Sequence, residues 1–407
     1  MRKNGVNREL REIDGGVCAP AGFRANGIHC GFTKNAEKKD LALIVSDRRC
    51  PTACVFSVDS KQSGPACVSK KHLKNGLARA ILVNSGVANV FLPDGERLAE
   101  LACRALAARS DIDANDTVIA STGKVGEPLS LSTFEDGLRP LAQGLSATEE
   151  GSLFAAQAMM TTDTYAKHTA FAFDLGDFPC KIGVAFKGNT RVCPNMATTL
   201  IFLTTDVNIS SEMLQKALSL TVKDTVNLLC ADGASSPNDT VCIMANGKAG
   251  NYKISCEDTE FSKFTYALRK VLSEICMRIV QDCDVDNRVF VCNVTGAKSS
   301  QVARTAAKNL VSSESVRRCI LQAKSGVESM LYALNCAEGD ADYSKVEISI
   351  NGGENTYVLY EEGIALRIHT ENLRRLLDAK EILLFVRLND GNYSATAVGC
   401  LQPEYFT

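Results

Sequence analysis

The chain has 407 residues, 45% of them hydrophobic and 23% charged, and its formal net charge is −2. That length and composition fit a globular protein of two or three domains with a large core. The near-neutral balance, without a long run of like charge, argues against a binder of nucleic acid or membrane surface, and no apolar stretch approaches the roughly 18 residues of a spanning helix.

The opening Met1-Arg2-Lys3-Asn4-Gly5 leads into charged residues rather than an apolar signal region, so the expected location is the cytoplasm. Short apolar runs bounded by Gly, Asn, Asp or Ser predict strands at Leu41–Val45, Ala80–Val83, Val118–Ala120 and Ile182–Phe186. The same signal recurs at Leu200–Thr204, Val241–Met244, Val289–Asn293 and Leu383–Arg387. Between them, helical stripes appear at Leu98, Leu101, Ala102, Ala105 and Leu106, and at Leu214, Ala217, Leu218, Thr221 and Val222, where Ser210 or Ser211 is available as N-cap. A third stripe runs through Leu268, Val271, Leu272, Ile275 and Cys276. Single stripes place helices on sheet surfaces, so the expected class is α/β with sheets layered by helices. A further unit is expected from about Val294, with a helix near Ser299–Val311.

The seventeen cysteines are scattered, with no Cys-x-x-Cys, and read as buried reduced thiols. His29, His72, His168 and His369 lie far apart, without metal-ligand spacing. There is no Walker loop and no dinucleotide fingerprint, so no bound cofactor or metal is expected.

Three polar segments could carry chemistry. The turn Ser121-Thr122-Gly123-Lys124 follows a strand and can present a hydroxyl with a backbone N–H, as an oxyanion site requires. Thr161-Thr162-Asp163-Thr164 follows an Ala- and Met-rich helical run and reads, by itself, as a cap or turn cluster. Asn195-Met196-Ala197-Thr198 delivers a threonine to the mouth of an apolar strand. A strand threonine is ordinary β-propensity. If the Ala197–Thr198 bond were cut, however, Thr198 would carry a hydroxyl nucleophile and an amine base on one residue.

Taken in order, the blocks around these residues resemble the ornithine acetyltransferase (ArgJ) family. They are Gly15–Ala25, Leu41–Asp47, Thr122-Gly123, Thr161–Thr164, Lys187-Gly188, Pro194–Thr198, Thr204-Thr205-Asp206 and Asn238-Asp239-Thr240, with a weaker return at Ser394–Cys400. The resemblance implies a layered αββα catalytic core over residues 1–293 and a smaller α/β domain over 294–407. It also implies self-cleavage into chains 1–197 and 198–407, which stay together and pair as a homodimer of two-chain units. Thr198 is then the nucleophile, Thr122 and Gly123 form the oxyanion hole, and Thr161, Lys187, Thr198 and Asp284 contact substrate. The implied reaction moves an acetyl group from N-acetylornithine to glutamate by ping-pong transfer, and acetyl-CoA serves some members as acyl donor.

The departures from the family pattern cluster on the substrate side. A glutamate-bearing block of the family reads Gln281-Asp282-Cys283-Asp284-Val285-Asp286-Asn287-Arg288 here, which leaves Asp284 as the surviving carboxylate. The family's tryptophan block has no counterpart, since the chain has no tryptophan, and Val87 and Ala234 stand where asparagine and aspartate are usual. Asp282, Asp284 and Asp286 mimic the start of a calcium loop, but Asn287 and Asn293 replace its required Gly and Glu. Losing polar contacts to a charged ligand, at about 1.5–3 kcal/mol each, is enough to change substrate. Two alternatives therefore stand beside the implied reaction: the same nucleophile acting as an amidase or on another amine, and a catalytically lapsed homologue.

Overall fold

A computed structural model describes residues 10–58, 63–189, 199–231, 236–337 and 342–402. These residues group into two compact units. The first contains the described residues up to Gly188 together with 199–222 and 236–271, and the second contains Asn189, 223–231 and the described residues from Leu272 onward.

The first unit carries β1 (Arg11–Ile13), β2 (Phe23–Ile28), β3 (Leu41–Phe56), β4 (Leu77–Asn84), β5 (Thr117–Ser121), β6 (Lys167–Leu175), β7 (Phe178–Lys187) and β8 (Leu200–Thr205). Strand β9 (Leu229–Cys230) belongs to the second unit, and β10 (Thr240–Ala245) returns to the first. The nine strands of the first unit follow the order β1-β6-β7-β8-β10-β3-β4-β5, with β2 also on β3.

Strand β3 joins two sheet halves. Its first part pairs with β2 and β4, and its last part pairs with β10. The charged stretch Ser46-Asp47-Arg48-Arg49 made the sequence-predicted strand end at Val45. In the structure the register shifts between Val45 and Cys50, the three charged residues face solvent, and the strand continues to Phe56. Such an irregularity bends a strand and increases its twist, which lets one strand serve both halves.

Helices α1 (Gly64–His72), α2 (Gly95–Ala107) and α3 (Leu131–Gln143) pack on the β3–β5 half through Val68, Ala99, Ala102, Leu106, Phe134 and Leu138. Helix α4 (Glu149–Met159) contributes Ala155, Ala156 and Met159 to a core shared with both sheet halves. Its small residues allow that close packing. On the β6–β8 side, α5 (Ser211–Asp224) is tied to β3 by Gln215, whose side chain pairs with both backbone groups of Cys54. Helix α6 (Thr259–Cys283) sets Phe264 against Phe173 of β6, with ring centroids 6.4 Å apart. The result is the helix–sheet–sheet–helix layering expected, held by side chains that each contribute about 1.5–3 kcal/mol on burial. Ser210 caps α5 through the N–H of Met213, as its position suggested.

The second unit is built on a seven-stranded sheet ordered β14-β13-β12-β15-β11-β16-β9. Its strands are β11 (Val289–Ala297), β12 (Glu347–Gly352), β13 (Asn355–Glu361), β14 (Ile364–Ala365), β15 (Glu381–Arg387) and β16 (Tyr393–Gly399), besides β9. Helices α7 (Ser300–Ser312), α8 (Glu314–Leu321), α9 (Val327–Asn335) and α10 (Thr370–Leu376) share its core. The boundary read near Val294 falls inside β11. The structural division lies within α6, because β11 pairs along its length with β15 and β16. Among the described residues no helix is long and apolar enough to cross a membrane.

Candidate active site

Thr198 and Ala197 lie outside the described residues. The next residue, Thr199, enters β8 with its backbone held on both sides. Its N–H donates to Asp239 Oδ1 at 2.7 Å, and its carbonyl accepts from Thr240 N–H at 3.1 Å. Its hydroxyl is buried and has no partner among the described residues.

Lys187 ends β7 directly opposite Leu200, so the antiparallel register brings it to the start of β8. It is 4% exposed, and its ammonium makes no hydrogen bond to a described residue. The nearest carboxylate oxygen is Asp163 Oδ2, at 3.9 Å. Burial lowers the affinity of Lys187 for its proton, and repulsion from Lys167 adds to this, while Asp163 and Asp239 oppose it.

Asp163 is the hub beside it. Its Oδ1 accepts from Lys167 Nζ at 2.8 Å and from Gly188 N–H at 2.9 Å, and its Oδ2 accepts from Thr161 N–H at 3.1 Å. Burial favours its neutral form, but the two lysines and these hydrogen bonds outweigh that and hold its carboxyl down at about 2. Thr161 and Lys187, singled out separately in the sequence, are thus brought together by a residue assigned no role there. The available signal was local: Asp163 sits four residues before Lys167 and inside a run of threonines.

Thr122 and Gly123 form the turn after β5, beside the loop after β4. Thr122 N–H donates to Asn84, Lys124 N–H to Gly86, and Ala88 N–H to Lys124. Asn84 braces the pair, because its Nδ2 donates to Val87 and its Oδ1 accepts from Ser121 Oγ at 2.6 Å. Between these two engaged amides, the N–H of Gly123 donates to none of the described residues, and the Thr122 hydroxyl has no partner among them. Asn238 connects this corner to the start of β8: its Nδ2 donates to Ala88 at 2.7 Å, and its neighbour Asp239 holds Thr199. An arrangement with donors left open by the described residues in one corner and a buried ammonium in the other suits an anionic ligand with a carbonyl to be attacked.

Asp284 is different. It belongs to the second unit, and its carboxylate is already engaged. Oδ1 accepts from the N–H groups of Asp286 and Arg288, and Oδ2 from Gln402 N–H at 2.8 Å and the Cys400 thiol. The Arg288 side chain stands 3.6 Å away and reaches Asp286 as well. The expected substrate carboxylate is therefore a clamp on its own loop and on the chain after β16. A carboxylate with this many donors has no spare lone pair aimed outward.

A family model described as the ArgJ family matches residues 24–407. The arginine biosynthesis bifunctional protein ArgJ of Caldanaerobacter subterraneus subsp. tengcongensis is 33% identical over 395 residues, 97% of this chain and 97% of that protein. The arginine biosynthesis bifunctional protein ArgJ 1 of Clostridium acetobutylicum is 32% identical over 379 residues, 93% of this chain and 92% of that one. The crystal structure of the ArgJ protein of Bacillus halodurans aligns with a TM-score of 0.44 at 31% identity, covering 46% of this chain and 98% of that chain.

Proposed function

The chain belongs to the ArgJ family, and from that premise we propose that it is a self-cleaving threonine acyltransferase that moves an acetyl group from N-acetylornithine to glutamate in arginine biosynthesis. The observation that carries this reading is Lys187, a buried ammonium without a hydrogen bond to a described residue, directly across from Leu200, which follows Thr198 by two positions in the chain. A ligand carboxylate is the group that such a cation lacks.

In this mechanism the Ala197–Thr198 bond is cut and Thr198 becomes an N-terminus. Its Oγ attacks the acetyl carbonyl, and its α-amino group, with an ordinary pKa near 8, takes the hydroxyl proton. Gly123 N–H and the Thr122 hydroxyl hold the tetrahedral oxyanion. Thr161 and Lys187 hold the amino-acid end of the donor. The C–N bond breaks, the proton passes to the departing amine, and an acetyl ester remains on Thr198. The amine of glutamate attacks that ester, the C–Oγ bond breaks, the proton of the amine passes through the α-amino group to Thr198 Oγ, and the N-acetyl product leaves. We place the enzyme in the cytoplasm as a homodimer of two-chain units, with no bound cofactor and with acetyl-CoA as a second acyl donor.

The engagement of Asp284 favours a second reading as well, the same nucleophile with a different acyl donor or acceptor. Two measurements separate these. Intact mass and a denaturing gel should give two fragments, the second beginning at Thr198, both lost in Thr198→Ala; a single uncut wild-type chain overturns the mechanism. N-acetylornithine offered with glutamate should yield N-acetylglutamate. Release of acetate, or no turnover, points to the second reading.

A further inference from the structure

Three charged side chains lie together in the first unit, two cationic and one anionic: Asp163 after α4, Lys167 at the start of β6 and Lys187 at the end of β7. Their side chains are 1%, 0% and 4% exposed. The carboxylate is not shared equally. It makes a hydrogen-bonded pair with Lys167 at 2.8 Å but leaves Lys187 at 3.9 Å, outside hydrogen-bond range. Its remaining lone pairs go to the backbone of Gly188, the neighbour of Lys187, and of Thr161.

We propose that Asp163 is the positioning residue of the substrate cation, fixing the Lys187 ammonium and the Thr161 and Gly188 backbone in one frame, while Lys167 takes up its charge so that Lys187 keeps its own for an incoming carboxylate. The proposal rests on the acyltransferase reading only for the identity of that carboxylate, the one on the N-acyl amino acid. The geometric logic stands apart from it. Asp163 is hydrogen-bonded to Lys167 and only near Lys187, so the Lys187 ammonium is buried with no hydrogen-bonded counter-charge among the described residues, which is costly until an anion arrives. A pair of Asp163 with Lys187 alone would be satisfied and would have little call for a ligand.

The charged groups facing Lys187 are Asp163, Lys167 and, from the turn before β10, Asp239. Removing Asp163 takes away an attraction, and removing Lys167 takes away a repulsion. The two changes must therefore move the titration of Lys187 in opposite directions. The opposed shifts test the charge arrangement, and the positioning role is tested by the rise in KM beside them, which a merely structural role does not produce.

The test uses the full-length protein as wild type, Asp163→Asn and Lys167→Met. The Lys187 resonance is followed by NMR of isotope-labelled lysine across pH and is assigned by its loss in Lys187→Met. Asp163→Asn should move the Lys187 titration to lower pH and Lys167→Met should move it to higher pH, each by at least about half a unit. Kinetics follow the same preparations. KM for N-acetylornithine should rise about tenfold in either variant with kcat changing less, the pattern expected when ground-state binding is lost. The alkaline limb of kcat/KM should follow the NMR shifts. Shifts of the same sign, or none, overturn the proposal, as does a change in thermal stability alone. If Asp163→Asn does not fold, the sign of the Lys167→Met shift decides. Opposed NMR shifts in a protein that never transfers acetyl would sink the acyltransferase reading and leave the positioning role standing.

Discussion

Replacing Gly123 by alanine tests whether the turn after β5 is held as tightly as its contacts indicate. Gly123 has φ +133°, a conformation that side chains rarely adopt. A Cβ built there would lie 2.3 Å from the carbonyl carbon of Gly86, 2.6 Å from its oxygen and 2.7 Å from Val87 N. All three are backbone atoms, so no rotamer change relieves the clash. The segment they belong to is anchored by Thr122 to Asn84, Lys124 to Gly86, Ala88 to Lys124, and the Asn84 amide to Val87. Relief must break one or two of these bonds, at about 1 kcal/mol each. Backbone strain costs a further 1–3 kcal/mol or so, and residual overpacking adds roughly as much. The expected loss is on the order of 3–8 kcal/mol, a large part of a typical domain's stability.

Gly126 provides the control. It also has positive φ, +83°, but nothing lies within 4 Å of its Cβ position. Gly126→Ala should therefore cost only the strain, about 1 kcal/mol. Both variants would be unfolded in denaturant in a Thr198→Ala background, which keeps each a single covalent chain. Gly123→Ala should lose at least about 2 kcal/mol more than Gly126→Ala. In the cleavable background it should also slow acetyl transfer, because the Gly123 N–H shifts with the turn. Equal stabilities and a wild-type rate for Gly123→Ala would refute the reasoning.

Asp284→Ala removes the acceptor for Asp286, Arg288 and Gln402 and leaves Arg288 short of a counter-charge, so it should destabilise the protein by about 3 kcal/mol. If Asp284 is a clamp, protein that remains folded keeps its KM for the donor; an unchanged melting temperature with a tenfold higher KM would restore it as a substrate contact. Among the described cysteines, all of them free thiols, Cys256 and Cys336 are exposed. Iodoacetamide under native conditions should therefore label those two first, as peptide mass mapping would show. Cys18, Cys180 and Cys276, which burial pushes up to about 12, should react only on unfolding.

Local pattern determined much of this protein. The strand runs and helical stripes named from sequence fall in β3, β4, β5, β7, β8, β10, β11, β15, α2, α5, α6 and α7, because a continuous apolar run marks a strand buried on both faces, as β5, β8 and β10 are, and a 3.6 period survives where one face of a helix is buried. The order of the signature blocks likewise identified the family before any fold was known. Strand β6 escaped notice because Lys167, His168 and Asp174 interrupt its apolar alternation; folding buries Lys167 against Asp163 and leaves His168 and Asp174 half-buried.

What only the tertiary structure decided is which groups are spoken for. Asp163 and Asp284 look alike in sequence, each a carboxylate in a polar run. One accepts from Lys167, Gly188 and Thr161 beside the Lys187 ammonium, which no described residue hydrogen-bonds, and the other is consumed by the backbone of Asp286, Arg288 and Gln402. The bonds that make that difference span up to 118 residues, and the one from Asn238 to Ala88 spans 150. A carboxylate's chemistry depends on the donors it meets after folding. The identity of the residue is written in the chain, and its availability is set by contacts that exist only once distant segments pack.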